Sequence, residues 1–396
     1  MNIVLFDPPE IRLDLQPLTC TRPVATLRCG ILTIAEKWER LTGANVSFLT
    51  APVLTEKFPS VTGPDTVFID GSLLPDASLV NSITALPPEH ALGINGTIAA
   101  IRTTSGKQGQ WNCAKTTELN HTERITTLWD VFQKNGAQIR ADFTLLTAGR
   151  TSAPLSDPHT RTYHPENIFL EPGARVLASV INATGGPVYL GRNSIIQEGS
   201  VIRGPFALGD EAQLAMGTVI RGDTTIGPGC RAGGEINNAV MISHSNKSHY
   251  GYLGNAVIGS WCNLGAGTTA SNLANSFGEA RLWNYRSSSF IPTGSPFCGL
   301  IMGDYSTTAV GTMFNTASSV GPGSKIFGAG FARTYLPPFT RGGSAGLSTM
   351  EVEEVITFAE RMMARRGMEM PEPDKNILRA LHAQFTDLRK LPARKH

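Results

Sequence analysis

The densest run of side chains able to do chemistry is Lys247 to Asn272, KSHYGYLGNAVIGSWCNLGAGTTASN. His249 supplies an imidazole, a side chain able to give and take a proton. Tyr252, Asn263 and Asn272 add polar groups downstream. Gly265 and Gly267 would let a ligand come close to the backbone, where a side chain would clash. A plainer reading of the same residues is a loop histidine, a packed aromatic and glycines at chain corners. A further candidate is Asp70, which follows the apolar run Val67–Ile69, where a Mg²⁺-binding carboxylate could sit. An ordinary turn aspartate is the simpler reading there.

The elements that position these residues are written as a repeat. Every sixth residue from Leu190 is aliphatic: Ile196, Ile202, Leu208, Leu214, Ile220, Ile226, Ala232. The phase resumes at Ile236 and Ile242, at Ile258, Leu264 and Ala270, and at Met302, Thr308, Phe314, Val320 and Ile326. Of 41 glycines, 27 fall in 166–330, several directly after the repeat residue, as Gly191, Gly209 and Gly227 do. A six-residue period fits neither an isolated helix nor an alternating strand. It fits a coil whose every side carries one inward aliphatic residue and a turn at each corner, about 18 residues per triangular turn of a parallel β-helix. Breaks in phase at 232–236, 242–258 and 270–302 predict loops leaving the solenoid, where sites are usually built.

Residues 1–150 read differently. Ile3–Phe6, Val46–Leu49, Val67–Ile69 and Thr97–Ile101 suggest short buried strands, and Thr33–Leu41 and 123–135 suggest helices, together a small α/β domain. The segment 151–165 reads as a linker, 166–330 as the solenoid and 331–396 as a helical tail. In that tail Ser348 would cap a helix with Glu351 in a capping box, and a second helix would run over about Asn376–Leu388.

The 247–272 run resembles the acetyltransferase half of bifunctional UDP-N-acetylglucosamine pyrophosphorylase/glucosamine-1-phosphate acetyltransferases. The match consists of His249, Tyr252-Leu253-Gly254, Asn263, Leu264-Gly265-Ala266-Gly267-Thr268 and Asn272, in order and spacing. The resemblance implies a left-handed β-helix that trimerises and transfers acetyl from acetyl-CoA to a hexosamine 1-phosphate. His249 would be the base, Tyr252 and Asn263 would contact the sugar phosphate, and Asn272 would orient the amine or the thioester. Gly265, Ala266, Gly267 and Thr268 would line the acetyl-CoA arm. Arg221 would serve as a phosphate contact, or stand as a solvent-facing corner residue. The family's basic residue after the second asparagine has its nearest counterpart in Arg281, nine residues on.

At the N-terminus, Cys20-Thr21-Arg22-Pro23, Arg28 and Ile31-Leu32-Thr33-Ile34-Ala35-Glu36-Lys37-Trp38 resemble sugar-nucleotide pyrophosphorylases without their leading glycines. The grouping is similar to Bacteroidetes-type sugar nucleotidyltransferases that pair a shortened domain with this solenoid. The resemblance implies that Arg22, Arg28 and Lys37 grip nucleoside triphosphate oxygens, with Mg²⁺ if the domain is active. Two other readings stay open: a nucleotidyltransferase whose solenoid serves assembly or regulation, and a non-catalytic sugar-nucleotide-binding protein. Arg221-Gly222-Asp223 with His244 and His249 also resembles γ-class carbonic anhydrases, but a catalytic zinc needs three protein ligands and the following coils carry no further histidine.

Composition narrows the partners. With 34 basic and 32 acidic residues, net +2, the chain has no field to hold a polyanion non-specifically, so nucleic acid is not an expected partner. No run approaches the roughly 20 apolar residues of a membrane span, and MNIVLFDPPE lacks the pattern of a signal peptide. The six scattered cysteines contain no C-x-x-C pair, which suits free thiols and a cytoplasmic protein.

Overall fold

A computed structural model describes residues 2–104, 111, 113–119 and 122–390. The chain divides into two compact units, one of Met1–Leu27 and Leu32–Leu128, the other of Arg28–Ile31 and Trp129–His396.

Among the described residues the first unit has six strands: β1 (Asn2–Phe6), β2 (Val46–Leu49), β3 (Thr66–Asp70), β4 (His90–Ile94), β5 (Thr97–Thr103) and β6 (Lys115–Glu118). Their order is β2-β1-β3-β5-β4-β6, with β2, β1 and β3 parallel and β5 antiparallel to both β3 and β4. Val4, Phe68 and Ile101, on three adjacent strands, meet in one apolar cluster. Helices α1 (Pro9–Asp14), α2 (Ile34–Thr42) and α3 (Ala77–Thr84) complete the unit. A true capping box starts α2: the Thr33 hydroxyl accepts from the Glu36 amide, and the Glu36 carboxylate accepts from the Thr33 amide. Gly43, in the left-handed region at φ 69°, ends it. The sheet is thus mixed rather than uniformly βαβ.

The second unit is a β-solenoid. One face stacks parallel strands from Arg161–Tyr163 to Met313–Phe314. The next runs from Ile168–Leu170 to Tyr335–Leu336. The third stacks nine parallel strands from Arg175–Val176 to Thr340–Gly343. Inward residues of successive coils lie over one another, so Leu190, Leu208, Ile226, Met241, Ile258, Met302 and Val320 form one column of the core. Burying such a column is what holds the coils together.

Several expectations need correction. The first rung, Arg161–Tyr163, lies inside the segment read as a linker. Of the three predicted breaks, 270–302 does leave the coil and carries the hairpin Arg281–Asn284/Ser289–Pro292. At 232–258 no loop departs; the coils shorten instead. Ile226 pairs with Met241 and Ala232 with Lys247, fifteen residues on, so Met241 rather than Ile242 takes the core register. Asn238, at φ 46°, lies within this shortened stretch.

The helix expected over 123–135 is replaced by α4 (Asp130–Gln133) and α5 (Asn135–Thr147), which pack on the solenoid. They receive Arg28–Ile31: the Gly30 amide donates to Asn135 Oδ1 at 2.7 Å and the Ile31 amide to Asp142 Oδ2 at 2.8 Å. Ser348 does not cap a helix. It pairs with Arg341 in a closing hairpin, and α6 (Val352–Ala364) and α7 (Glu372–Gln384) follow. No helix among the described residues is long and apolar enough to cross a membrane.

Candidate functional site

His249 sits on the corner between the third face and the first, just after the strand Asn246–Lys247 and just before Tyr252–Ser260. Its ring is exposed and makes no hydrogen bond among the described residues. The corner stacks on the next one down the coil, where the Gly267 amide donates to the Tyr250 carbonyl at 3.1 Å. Tyr252, Gly267 and Asn272 line one groove of about 480 Å³ with Met313, Phe314 and Phe331. The Asn272 amide is aimed by Asn255, whose Oδ1 accepts from it at 2.6 Å.

The glycines of this corner have structural reasons of their own. A Cβ at Gly265 would lie 2.6 Å from the Ala309 backbone, and Gly267 has φ 73°. Thr268 turns inward and shares a 2.7 Å hydroxyl contact with Thr308.

Beneath His249 lies a group that sequence reasoning did not single out. Lys247 occupies an inward position of the third face, between Ala232 and Leu264, and is 2 % exposed. Its ammonium donates to the Gly233 carbonyl at 2.9 Å and to the His249 carbonyl at 2.8 Å. Burial pushes its pKa down to about 8. A charged lysine in an aliphatic register reads as outward-facing from sequence, and only the shortened coils turn it in.

Asn263 does not join the Tyr252 groove. In the two-residue strand Asn263–Leu264 the leucine points inward, so Asn263 points outward from the third face. There it accepts from Asn246 at 3.2 Å, in a separate cavity of about 410 Å³ beside α6. Arg221 is an exposed partner of Glu235 at 3.1 Å. Arg281, in the excursion hairpin, donates to the Phe290 carbonyl at 2.6 Å. His244 stacks on Trp261 with ring centres 4.6 Å apart, and burial and Arg366 lower its pKa. Among the described residues, no group of three His, Cys, Asp or Glu donors is placed to hold a metal ion.

In the first unit, Lys37 is 2 % exposed on α2, and the Arg22 carbonyl accepts from the Arg12 guanidinium at 3.0 Å. Arg28 belongs to the other unit, where its guanidinium bonds the carbonyls of Ile31 and Ile242. It is a tie of that segment to the solenoid. Asp70 ends β3, and Asp7 directly follows the adjacent parallel strand β1. Asp70 accepts from the Ser72 amide at 2.8 Å, the Ser72 hydroxyl at 2.7 Å and Arg124 at 2.5 Å. Asp7 accepts from Arg12 and the Val24 amide. Burial pushes both carboxyls upward against the pull of Arg12 and Arg124. Oxygens so engaged do not fit a resident Mg²⁺, which would have to displace a guanidinium to reach Asp70.

Residues 3–151 match the model of a family described as sugar nucleotidyl transferase. The class that this match defines is a transferase. No curated protein matches the chain. Among solved structures the chain is similar to a UDP-N-acetylglucosamine acyltransferase from Arabidopsis, at 13% identity over 61% of this chain and 80% of that one, TM-score 0.31. The corresponding enzyme of Francisella novicida gives 15% identity over 57% and 76%, TM-score 0.27. A GDP-perosamine N-acetyl transferase from Caulobacter crescentus, in complex with CoA and GDP-perosamine, gives 9% over 89% and 97%, TM-score 0.17.

Proposed function

We propose that the solenoid transfers acetyl from acetyl-CoA to the amine of a hexosamine 1-phosphate, with His249 as the base. The observation that supports this reading is the pair of stacked corners. The exposed His249, which makes no side-chain hydrogen bond among the described residues, lies on the corner that stacks on Gly267, and a groove of the same coils holds Tyr252 and Asn272. In the reaction the sugar amine attacks the thioester carbonyl while His249 takes its proton. The tetrahedral intermediate then collapses, the C–S bond breaks, and the CoA thiolate recovers the proton. Tyr252 and Asn272 hold the acceptor against the corner. Asn263 faces the other cavity and takes no part in this step. The resemblance of the 247–272 run to the acetyltransferase family implies a left-handed coil and a homotrimer, and sedimentation measures the oligomeric state.

Release of free CoA thiol from acetyl-CoA and glucosamine 1-phosphate tests the proposal. His249→Ala lowers kcat by about 100-fold or more, in line with a general base. Unchanged turnover in that variant removes His249 from the role, and no turnover with any amino sugar leaves the solenoid a scaffold.

Nucleotidyl transfer by the first unit is favoured by the family match over residues 3–151. Pyrophosphate release from a nucleoside triphosphate and a sugar 1-phosphate tests it, and Arg22→Ala abolishes release if Arg22 grips the triphosphate. No release with any pair tried makes the unit a binding module.

A further inference from the structure

The cavity beside α6 has one wall made of the solenoid. Arg231, Asn246, Asn263, Thr307 and Lys325 are the outward residues of successive coils on the third face. Rungs spaced about 4.8 Å apart put its two cations roughly 19 Å apart along the ladder, with amides and a hydroxyl between them. Phe358, Met362, Arg365 and Arg366, from α6 and the residues just after it, form the opposite wall.

Four cations thus face one cavity of about 410 Å³, and among the described residues no carboxylate lines it. The acids of α6 are engaged elsewhere: Glu353 with Arg379, Glu354 with Arg341, Glu360 with Lys375. Arg366 is fixed as a built site requires. It donates to the Gly229 carbonyl and, at 2.9 Å, to Asn246, and its guanidinium lies 5.7 Å over the Trp261 ring. Burial and then the nearby Arg231 lower its pKa. A cleft lined by one sign of charge concentrates ions of the other sign. Guanidinium forks suit phosphate oxygens, and Phe358 and Met362 offer an apolar surface beside them.

We propose that this cavity binds a small molecule bearing a phosphoanhydride, held by Arg231, Lys325, Arg365 and Arg366. The spread of the cations fits an elongated anion better than a single phosphate, and the volume is that of a small-molecule site. The site lies away from the Tyr252 groove and stands whether or not His249 is the base. Such a phosphoanhydride has two sources in sugar-nucleotide chemistry, a nucleoside diphosphate and coenzyme A.

Calorimetry on the full chain with UDP, coenzyme A and inorganic phosphate as separate probes tests the site. UDP or coenzyme A binds saturably, the affinity falls with added salt, and inorganic phosphate binds far more weakly. Lys325→Glu and Arg365→Glu each weaken binding at least tenfold. Neither side chain makes a hydrogen bond or ion pair among the described residues, so thermal unfolding stays unchanged. Absence of saturable binding, equal affinity for inorganic phosphate, or an affinity untouched by both charge reversals overturns the proposal. Which of the two organic probes binds identifies the source.

Discussion

Replacing Lys247 by methionine separates the electrostatic cost of a buried ammonium from the packing of the coil that carries it. The lysine stands in the inward column of the third face with its pKa lowered from 10.5 to about 8 by burial. The unfolded chain therefore binds more protons than the folded chain between those two values, and native stability rises with pH across that window. With one pKa unit worth about 1.4 kcal/mol, the two values give a gain of about 2 kcal/mol between pH 7 and pH 9.5. Methionine fills a similar volume and has nothing to titrate, but it leaves the carbonyls of Gly233 and His249 without their donor, at about 1–3 kcal/mol each if they stay dry. Urea unfolding of both proteins at pH 7, 8, 9 and 9.5 is the assay, read as native minus variant so that other titrating groups cancel. The difference must grow with pH in favour of the native chain, by about 2 kcal/mol over that range. Parallel curves would refute the burial argument. A difference that shrinks would mean that the ammonium stabilises the corner outright.

Two further outcomes follow from the coil geometry. A Cβ at Gly227 would lie 2.0 Å from the Ile242 carbonyl oxygen, which belongs to backbone and cannot swing away. Gly227→Ala therefore costs at the upper end of about 1–3 kcal/mol by chemical denaturation. Gly311→Ala, with open space but φ 70°, costs only about 1–2 kcal/mol, and equal losses would contradict the steric account. At the start of the solenoid, the Tyr189 hydroxyl donates to Glu171 at 2.8 Å beside Arg150 at 2.7 Å. Burial alone would raise the Glu171 pKa, but these two donors hold it below the usual carboxylate range. Tyr189→Phe costs about 1.5–3 kcal/mol at pH 7. Because the native carboxylate is the favoured form, that cost fades as pH falls below about 4.3 and Glu171 protonates; a cost constant down to pH 3 would speak against the bond.

The architecture of the solenoid was legible because its physics is periodic. One inward aliphatic per side recurs every six residues, and from Leu190 through Ala232 each such residue is buried in the core. Legibility ended where the period shortened. The step from Ala232 to Lys247 keeps the coil closed with fewer residues, so Met241 displaces Ile242 and a lysine enters the core. No property of a lysine side chain announces that position.

The site divides the same way. The family resemblance grouped His249, Tyr252, Asn263 and Asn272 as a set, and the fold brings Tyr252 and Asn272 to one groove while sending Asn263 to another face. Sequence could not separate them, because a two-residue strand assigns its outward residue to whichever face its coil has reached. Arg28 was grouped with Arg22 and Lys37 by the resemblance to sugar nucleotidyltransferases, yet its carbonyl partners lie in the solenoid unit. The four cations of the α6 cavity come from positions 231, 325, 365 and 366, scattered over more than a hundred residues. What the sequence determined by itself was the repeat and the chemistry available along it, since both are local properties of side chains and spacing. Which of those side chains share a cavity was decided by the tertiary structure, because the stacking of coils turns distance along the chain into adjacency across it.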